Sequence, residues 1–441
     1  MNMSQKYAES LPMHLLEKIR SRSATVVVVG QGYVGLPLAV RATEVGFRVV
    51  GVERDERRLG ALKAGKSFIE DISDDHLQRS ISAGLTFLDD LSTVDLRPDV
   101  TVISVPTPLL DGVPDLSFIE AAAEEVGPSL TPGSCVILES TTYPGTTEEL
   151  LVPILERTSG LKRTQFHVGY SPERIDPGNT KFDLQSTPKV VSGIDVDSLE
   201  IVDSFFKTLV ATTVPVSNCA EAELTKLLEN TFRHVNIALI NELARFASHL
   251  DIDIWNVIEA AETKPFGFMK FTPGPGVGGH CLPVDPSFLA WKVQQTTGKE
   301  FRFVELANDI NRRMPEFIVE RTIALLRGAG KEVADCRVAL LGITYKAESS
   351  DWRESPALSV FSKLRAEGAN VIAVDPMLEK GIELVPDLVV HHYDTVDVEA
   401  DVAVVLTDHS AFDWATIARD FPLLLDTRNA LDGLQFEGER L

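Results

Sequence analysis

Short apolar runs alternate with segments of helical spacing through the first half of the chain. The runs are rich in β-branched residues and are strand-length: ATVVVVG, FRVVGVE, DVTVISVP, GSCVILEST and TQFHVGYSP. Apolar strands separated by helical segments such as LPLAVRATEVG predict a parallel sheet covered by helices on both faces. We therefore expect a doubly wound α/β domain over residues 23–215, preceded by a polar or helical extension at residues 1–22.

The pattern changes after Ser217, in the segment AEAELTKLLENTFRHVNIALINELARFASHL. It contains no proline or glycine, and its apolar residues recur at helical spacing: Leu224, Leu228, Val235, Leu239, Leu243 and Phe246. The predicted helix would be roughly 45 Å long at the usual rise per residue. A helix this long and apolar usually ties domains together or buries a subunit interface. We expect it to open a small helical domain over residues 216–325.

A second α/β pattern begins after Lys331. It contains the predicted strands CRVALLGITYK, NVIAVDP, ADVAVVLTDH and LLLDTRN, and the predicted helix ESPALSVFSKLRAEG. It lacks a GxGxxG motif, so we expect residues 326–441 to form a nucleotide-type domain with a different ligand. The predicted fold class is α/β, with two Rossmann-like doubly wound domains joined by a long central helix and a small helical domain.

The chain is strongly acidic, with a formal net charge of −23 from 65 acidic and 42 basic residues. Such a surface repels nucleic acid and anionic membranes, so neither is an expected partner. The N-terminal segment lacks the apolar region of a secretory signal, and the apolar runs are too short to span a bilayer. The four cysteines form no CxxC pair, which argues against a zinc site or a disulfide framework. We expect a cytoplasmic protein with reduced thiols and no bound metal.

A glycine-rich turn, GQGYVG, follows the first predicted strand directly and opens a helix. Gly30 permits a tight turn, Gly32 leaves room for a pyrophosphate, and Gly35 lets the helix pack on the sheet. The phosphates would then lie at the positive end of the helix dipole. Glu53 closes the next strand, where a carboxylate binds ribose hydroxyls and repels a 2′-phosphate. The pattern predicts NAD, although the neighbouring Arg54 leaves NADP open.

A second candidate is Cys281, in the glycine- and proline-rich segment GGHCLPVD. Free cysteines are usually buried and inert, which is the interpretation for the other three. A cysteine in a glycine-rich loop is instead accessible, and its thiolate is a good nucleophile toward an aldehyde. Asp285 follows four residues later. We give His280 a structural role, because adjacent side chains need not face the same way.

The long predicted helix carries Lys226 and Asn230 one turn apart, so the two side chains share a face. An ammonium and an amide donor there would stabilise a developing oxyanion. Such a pair taken alone is more often a solvated face. In the last domain Lys346 and Arg353 follow a predicted strand and are plausible phosphate ligands, the alternative being ordinary surface charge.

Two clusters, ESTTYPGT and YSPER, each follow a predicted strand of the first domain. They fall at the carboxyl edge of the sheet, where sites of α/β proteins lie. Hydroxyl and carboxylate groups there could position a water molecule.

Taken together, the motifs resemble the UDP-sugar 6-dehydrogenase family over about residues 25–429. They are GQGYVGLPLA, STTYPGT, SPERIDPGN, AELTKLLENTFRHVNIALINE, GGHCLPVD and DWRESPA, in that order. The resemblance implies oxidation of a UDP-sugar C6 alcohol to a carboxylate with two NAD⁺ per sugar. The aldehyde would add to Cys281 as a thiohemiacetal, lose a second hydride to become a thioester, and be hydrolysed by water.

The resemblance also implies roles for individual residues. Lys226 and Asn230 would bind the oxyanion, Asp285 would assist proton transfer, and Thr141 and Glu173 would position the hydrolytic water. The C-terminal domain would bind UDP, and the long helix would form the core of a homodimer. The expected cofactor-binding residues are Gly30, Gly32, Tyr33, Val34, Gly35, Glu53, Arg54, Pro106, Thr107, Ser140, Thr141 and Arg353. The expected substrate-binding residues are Glu173, Arg174, Lys226, Asn230, Phe271, Gly274, Gly276, Gly278 and Lys346.

Two departures from the glucose-type enzymes bear on the substrate. The chain has PERIDPG where those enzymes have a PEFLREG-like segment, and Val284 where they have a lysine. Both changes resemble the branch that acts on N-acetylated hexosamines, and KPFGFM at residues 264–269 resembles the UDP-N-acetylglucosamine 6-dehydrogenases. UDP-N-acetylglucosamine is therefore the first expectation, followed by UDP-N-acetylmannosamine and UDP-glucose.

Two other functions compete with this interpretation. A single-step dehydrogenase of the 3-hydroxyacid type explains the N-terminal half but needs neither Cys281 nor a second α/β domain. A nucleotide-sugar sensor without catalysis would have no need of Cys281, Lys226, Asn230 and Asp285 together.

Overall fold

A computed structural model describes residues 3–69, 71–176, 182–279, 282–393 and 399–441, with side chains from residue 12 onward. The chain divides into two compact units. The first comprises Met1–Glu229 with Ser287–Thr297, and the second comprises Asn230–Pro286 with Gly298–Leu441. The predicted domain boundaries at residues 22, 215 and 325 stay predictions.

The first unit is built on a mostly parallel sheet. Its described strands are β1 (Thr25–Val29), β2 (Arg48–Val52), β3 (Thr86–Leu88), β4 (Val100–Ile103), the small hairpin β5 (Leu109–Leu110) and β6 (Val113–Pro114), β7 (Cys135–Leu138), β8 (His167–Tyr170), β9 (Lys189–Gly193) and β10 (Thr213–Pro215). Apart from the hairpin, they form one sheet in the order β10-β9-β8-β7-β4-β1-β2-β3. Neighbours are parallel except for β8 and β9, which run antiparallel.

Helices cover this sheet because its strands are apolar on both faces. They are α1 (Met3–Ser21), α2 (Gly35–Glu44), α3 (Glu56–Lys63), α4 (Asp74–Ser82), α5 (Ser117–Val126), α6 (Val152–Ser159) and α7 (Val196–Phe206). Val26, Val27 and Val28 of β1 are fully buried. The strand order reverses between β1 and β4, and a crevice forms at the carboxyl ends of strands at such a point. The predicted doubly wound α/β fold is confirmed.

The remaining helices are α8 (Cys219–His249), α9 (Ile254–Glu262), α10 (Asp285–Thr297), α11 (Arg302–Gly328), α12 (Pro356–Ala366) and α13 (Trp414–Asp420). The predicted long helix is α8, with 31 residues. Its apolar row lies at the surface: Leu228, Leu239 and Phe246 are 62%, 51% and 60% exposed. The face that packs inward carries smaller or polar residues, among them Ala238, Asn241 and Ala244.

The second unit contains a second α/β sheet. Its described strands are β11 (Arg337–Leu341), β12 (Asn370–Val374), β13 (Glu383–Val385), β14 (Leu388–His391), β15 (Val402–Val405), β16 (Leu424–Asp426) and β17 (Gly438–Arg440). The order is β13-β14-β12-β11-β15-β16-β17, and only the β13–β14 pair is antiparallel. The order reverses between β11 and β15, so this sheet also has a crevice at its carboxyl edge.

Burial accounts for three of the four cysteines. Cys135, Cys219 and Cys336 are buried and free of disulfides, and burial raises the pKa of each thiol.

In the part of the chain that the structure describes, no helix has the length and apolar character needed to cross a bilayer.

Candidate active site

Glycine stands at each of three positions in the turn after β1 for a different structural reason. Gly30 has a φ of +88°, and a Cβ there would lie 2.3 Å from the carbonyl oxygen of Ser104. A Cβ on Gly35 would lie 1.9 Å from the carbonyl oxygen of Gly30, which shows how closely α2 packs on the turn. A Cβ on Gly32 would meet no atom within 4 Å, so this glycine opens onto free space.

The start of α2 suits an anionic group. No side chain caps the helix at Val34, the residue before its first turn. Helix N-termini present backbone N–H groups and a partial positive charge to a ligand. Tyr33 and Val34 lie between the open space at Gly32 and the helix, so the residues present fit a pyrophosphate.

Glu53 lies behind the turn at the end of β2. It is buried, and its carboxylate accepts hydrogen bonds from the backbone N–H groups of Gln31 at 3.2 Å and Asp55 at 3.0 Å. Arg54 is held away by two carboxylates, with ion pairs of 2.8 Å to Glu125 and 3.1 Å to Asp90. The Glu125 hydrogen bond, opposed by burial, raises the pKa of Arg54. The two carboxylates on this guanidinium, together with the buried Glu53 at the end of β2, disfavour a 2′-phosphate and favour NAD over NADP.

Ser140 fixes the loop after β4. Its hydroxyl accepts from the Val105 N–H at 2.9 Å and donates to the Val105 carbonyl at 2.8 Å. This holds the backbone just before Pro106 and Thr107 at the carboxyl edge, next to the turn at Gly30. The buried hydroxyl of Ser140 therefore holds the loop backbone in place through both of its hydrogen bonds to Val105.

Thr141 follows Ser140 and is half-buried. The loop beyond it is tied to α8, because the buried carboxylate of Glu223 accepts from the N–H groups of Gly145 and Thr147 and from the Thr147 hydroxyl. Burial, opposed by these hydrogen bonds, raises the pKa of Glu223 to about 7.

Glu173 belongs to a buried cluster that the sequence motifs did not indicate. The ammonium group of Lys189 contacts the carboxylate of Glu139 and lies 2.6 Å from Oε2 of Glu173. Oε1 of Glu173 accepts from the N–H groups of Arg174 at 2.6 Å and Ile175 at 2.7 Å. Lys189 and Glu139 are each 2% exposed.

Arg174 and Lys226 differ in whether a carboxylate engages them. The guanidinium of Arg174 makes a two-point contact with Glu229 of α8, at 2.6 and 3.2 Å, and donates to the Pro188 carbonyl at 2.7 Å. These bonds tie residues 171–176 to the helix. Lys226, also on α8, is half-buried and forms no hydrogen bond or ion pair with described residues. Of these two cations, Lys226 is the one that no carboxylate among the described residues engages.

The second unit brings together two of the predicted catalytic residues. The Asn230 side-chain amide donates to Oδ2 of Asp285 at 2.5 Å, and Asp285 is 2% exposed. The two residues lie 55 positions apart in the sequence, so their spacing does not predict this contact. His280 and Cys281 lie outside the described residues.

The glycines before Cys281 pack against the loop after β11. A Cβ on Gly278 would lie 2.6 Å from the Glu354 carbonyl oxygen, and a Cβ on Gly276 would lie 3.1 Å from the Asn311 carbonyl oxygen. Gly274 donates its N–H to the Asn241 side chain of α8 at 3.0 Å. The backbone packs closely at these positions. The glycine-rich pattern of the sequence indicates such packing, but it does not indicate which residues are the partners.

Phe271 precedes this stretch and packs on α8. Its ring lies 5.9 Å from that of Phe232, and it borders the cluster of Ile240, Trp255 and Ile258.

A cleft lies at the carboxyl ends of β11, β15 and β16. Its lining includes Thr344, Lys346, Ser355, Thr407 and Arg428. Two cations therefore face one cleft at the point where the strand order reverses. Arg428 was not predicted as a ligand, although it follows a strand in the same way that Lys346 does.

Arg353 is not among the residues that line this cleft. Its guanidinium makes a two-point contact with Asp351, at 2.8 and 2.9 Å, in the second unit. Its assignment as a cofactor ligand stays a prediction.

Comparison with known proteins identifies the family. Three family models match in chain order, all described as UDP-glucose/GDP-mannose dehydrogenase family: the NAD binding domain at residues 24–210, the central domain at 220–313 and the UDP binding domain at 339–433. The chain belongs to this family. It is an NAD-dependent UDP-sugar dehydrogenase, which excludes the 3-hydroxyacid dehydrogenase alternative.

Several relatives of this dehydrogenase carry names that specify a sugar. A UDP-N-acetyl-D-mannosamine dehydrogenase of Methanocaldococcus jannaschii is 34% identical over 94% of each chain. A UDP-N-acetyl-D-glucosamine 6-dehydrogenase of Pseudomonas aeruginosa is 38% identical over 80% of this chain and 82% of its own. The solved structure of a UDP-N-acetylmannosamine dehydrogenase from Pyrococcus horikoshii matches with a TM-score of 0.84 and 32% identity, over 94% of this chain and 98% of that one.

Alanine substitutions in the glycine turn test whether it binds the pyrophosphate of NAD⁺. Gly32→Ala places a methyl group in the open space, so we expect the KM for NAD⁺ to rise about tenfold with an unchanged melting temperature. Gly35→Ala forces a clash with the Gly30 carbonyl and should lower the free energy of unfolding by about 3 kcal/mol or more. Gly60→Ala, in the exposed helix α3 where a Cβ meets nothing within 4 Å, should leave the KM unchanged. An unaltered KM in Gly32→Ala would show that the pyrophosphate binds elsewhere.

Proposed function

We propose that this dehydrogenase oxidises the C6 alcohol of a UDP-N-acetylhexosamine to the carboxylate through a thioester on Cys281. The observation that carries the proposal is the hydrogen bond between Asn230 and Asp285, which links α8 to the buried acid four residues after Cys281. A second α/β domain with a cationic cleft supports a nucleotide-linked substrate. The chain keeps all of these groups, which argues against a sensor without catalysis.

The balanced reaction converts one alcohol, two NAD⁺ and one water into one carboxylate, two NADH and three protons. NAD⁺ supplies the hydride acceptor for each oxidation. The Cys281 thiolate adds to the aldehyde carbon, and the resulting thiohemiacetal is oxidised to the thioester. Water then attacks the thioester carbon, and the thiolate leaves.

The chain's own residues stabilise charge and move protons. Lys226 and Asn230, one turn apart on α8, would donate to the oxyanion that forms at C6. Asp285, held by Asn230, would accept and return the proton of the C6 hydroxyl group. Thr141 and Glu173 would position the hydrolytic water. The other amide hydrogen of Asn230 is available for the oxyanion, since one N–H suffices for Asp285.

The UDP group is assigned to the cleft of the second unit. Lys346 and Arg428 are cations on one lining, and the hydroxyls of Thr344 and Thr407 lie at the same strand ends. In a chain of net charge −23, a diphosphate needs such a local concentration of donors.

UDP-N-acetylglucosamine is the first candidate substrate. The segment at residues 264–269 and the 38% identical glucosamine relative support it. UDP-N-acetylmannosamine is the second candidate, supported by relatives of that name that match over more of the chain.

The stoichiometry of NADH tests the mechanism. Limiting UDP-N-acetylglucosamine, UDP-N-acetylmannosamine or UDP-glucose is supplied with excess NAD⁺, and NADH and acid are counted. Two NADH per sugar with acid released are expected, and the highest kcat/KM names the substrate. Cys281→Ser should lose acid release by about 10³-fold or more, because no thioester forms.

A matched control is Cys336→Ser, because a serine hydroxyl can replace the bond from the Cys336 thiol to the Glu332 carbonyl. This variant should retain the wild-type stoichiometry. One NADH per sugar in the wild type, or full acid release by Cys281→Ser, would contradict the thioester route.

The cleft is tested by UDP binding alone. Arg428→Met should raise the Kd for UDP about 10- to 100-fold, since a charge-assisted hydrogen bond is lost. Arg365→Met, which removes an exposed guanidinium paired with Asp387, is the control and should bind UDP as the wild type does. Equal Kd values in titration calorimetry would place the UDP group outside this cleft.

A homodimer through α8 is the proposed assembly. One face of this helix carries exposed apolar residues: Leu224, Leu228, Phe232, Leu239, Leu243 and Phe246. Leu239→Glu should shift the mass measured by light scattering to that of a monomer, while Leu110→Glu, an exposed leucine on β5, should not. An unchanged mass in Leu239→Glu would mean that another surface is used.

A further inference from the structure

Because β9 runs antiparallel to β8, its first residue, Lys189, lies at the edge where β8 and the strands parallel to it end. Gly169 pairs with Gly193 and Tyr170 with Ser192, so continuation of the register sets Glu173 opposite Lys189. Lys189 begins β9, whereas Glu139 directly follows β7. The three side chains therefore meet at the carboxyl edge, next to Ser140 and Thr141.

The Glu173 carboxylate has little freedom in this cluster. An ionised carboxylate has about four acceptor sites, and Lys189, the Arg174 N–H and the Ile175 N–H use three of them. Among the hydrogen bonds of the described residues, these three leave one acceptor site of Glu173. A single hydrogen of a water molecule can therefore be bound in a defined direction.

The charges of the cluster are set by burial and by Lys189. Burial opposes ionisation of Glu173, but the charge and hydrogen bond of Lys189 and the two backbone N–H groups outweigh it and lower the pKa of Glu173. Burial also opposes the charge of Lys189, but the two carboxylates outweigh it and raise the pKa of Lys189. For Glu139 burial prevails over Lys189, and its pKa rises to about 7.

An exclusively structural role accounts poorly for this arrangement. Burying three ionisable groups is costly, and well-packed apolar residues often stabilise such a position as well or better. Oε2 of Glu139 is buried without a hydrogen-bond partner among the described residues. The Lys189 ammonium also lies 5.2 Å from the centroid of the Phe206 ring, so an aromatic face covers that side of it.

We propose that Lys189 is a positioning residue for thioester hydrolysis, orienting Glu173 and keeping it charged so that its remaining acceptor site binds the attacking water. This inference rests on the proposed function. In the step, the water oxygen bonds to the acyl carbon, the carbon–sulfur bond breaks and its electron pair returns to Cys281. Two protons leave as the acid ionises, and Glu173 accepts a hydrogen bond from one of them.

The test separates hydrolysis from oxidation. Lys189→Met combined with Glu139→Gln removes the cation together with its second carboxylate, which avoids leaving two unpaired buried charges. Acid release at saturation should fall about 10²-fold with kcat/KM for the UDP-sugar unchanged, because the slowed step follows both oxidations. Rapid mixing should show a burst of two NADH per active site, and the quenched protein should carry the sugar acyl group on Cys281.

The pH dependence supplies a second readout. Among the described residues, the charged groups that face Glu173 are Lys189 and, across it, Glu139, while the Arg174 guanidinium is directed to Glu229. Without Lys189, burial should raise the pKa of Glu173, so hydrolysis in the double variant should slow as the pH falls through neutrality. The wild type should not show this dependence on Glu173. Lys189→Arg should restore most of the rate, and Lys207→Met, an exposed lysine paired with Asp203, should behave as the wild type.

The outcomes distinguish this inference from the proposed function. If the wild type fails to form two NADH per sugar, the proposed function itself fails. If the wild type does so and the folded double variant releases acid at the wild-type rate, or loses the burst, Lys189 does not act on hydrolysis and the inference is overturned.

Discussion

Parallel strands end at one edge of a sheet, and this constraint locates the ligand-binding groups in both units. In the first sheet the edge collects the glycine turn after β1, the loop fixed by Ser140 and the cluster around Lys189. In the second it collects Lys346 and Arg428. Since backbone groups at strand ends have no further ladder partners, they and the following side chains are free to bind ligands. At the first of these edges α2 packs closely on the Gly30 carbonyl through Gly35, while the space at Gly32 is open.

An acidic protein that binds anionic ligands must control where its positive charge is available. Arg54, Arg174 and Arg353 are each engaged by carboxylates, so they contribute little attraction to a phosphate. Lys226 has no such partner among the described residues, whereas Arg428, which lines the cleft with Lys346, is paired through its Nε with Asp408 at 3.1 Å. The number of cations in the sequence therefore predicts the site of anion binding less well than the knowledge of which cations are already paired with carboxylates. The same carboxylates that hold Arg54 also disfavour a 2′-phosphate, which links cofactor choice to an ordinary surface ion pair.

The sequence predicts elements and motifs well because their signals are local. Strand–helix alternation, the glycine turn and the length of α8 each depend on residues close together in the chain. The pairing of Lys189 with Glu139 spans 50 positions, and that of Asn230 with Asp285 spans 55, so no spacing rule could reveal them. Lys189 in particular depends on one antiparallel pair in a sheet whose pattern predicts parallel strands. The outward direction of the apolar row on α8 was equally hidden, because periodicity shows that a helix has an apolar face but not what covers that face.

The two faces of α8 make different demands on its geometry. The inner face carries Asn241, which accepts from the Gly274 N–H and donates to Asn311, and Asn230, which holds Asp285. Such buried amide networks tolerate little displacement, since an unpaired donor in the interior costs about 1–3 kcal/mol. The outer apolar row lies on the same 31 residues, so a substitution that bends the helix from outside also displaces the amides inside. Loss of activity in an outer-face variant therefore implicates assembly only when UDP binding, measured separately, is retained.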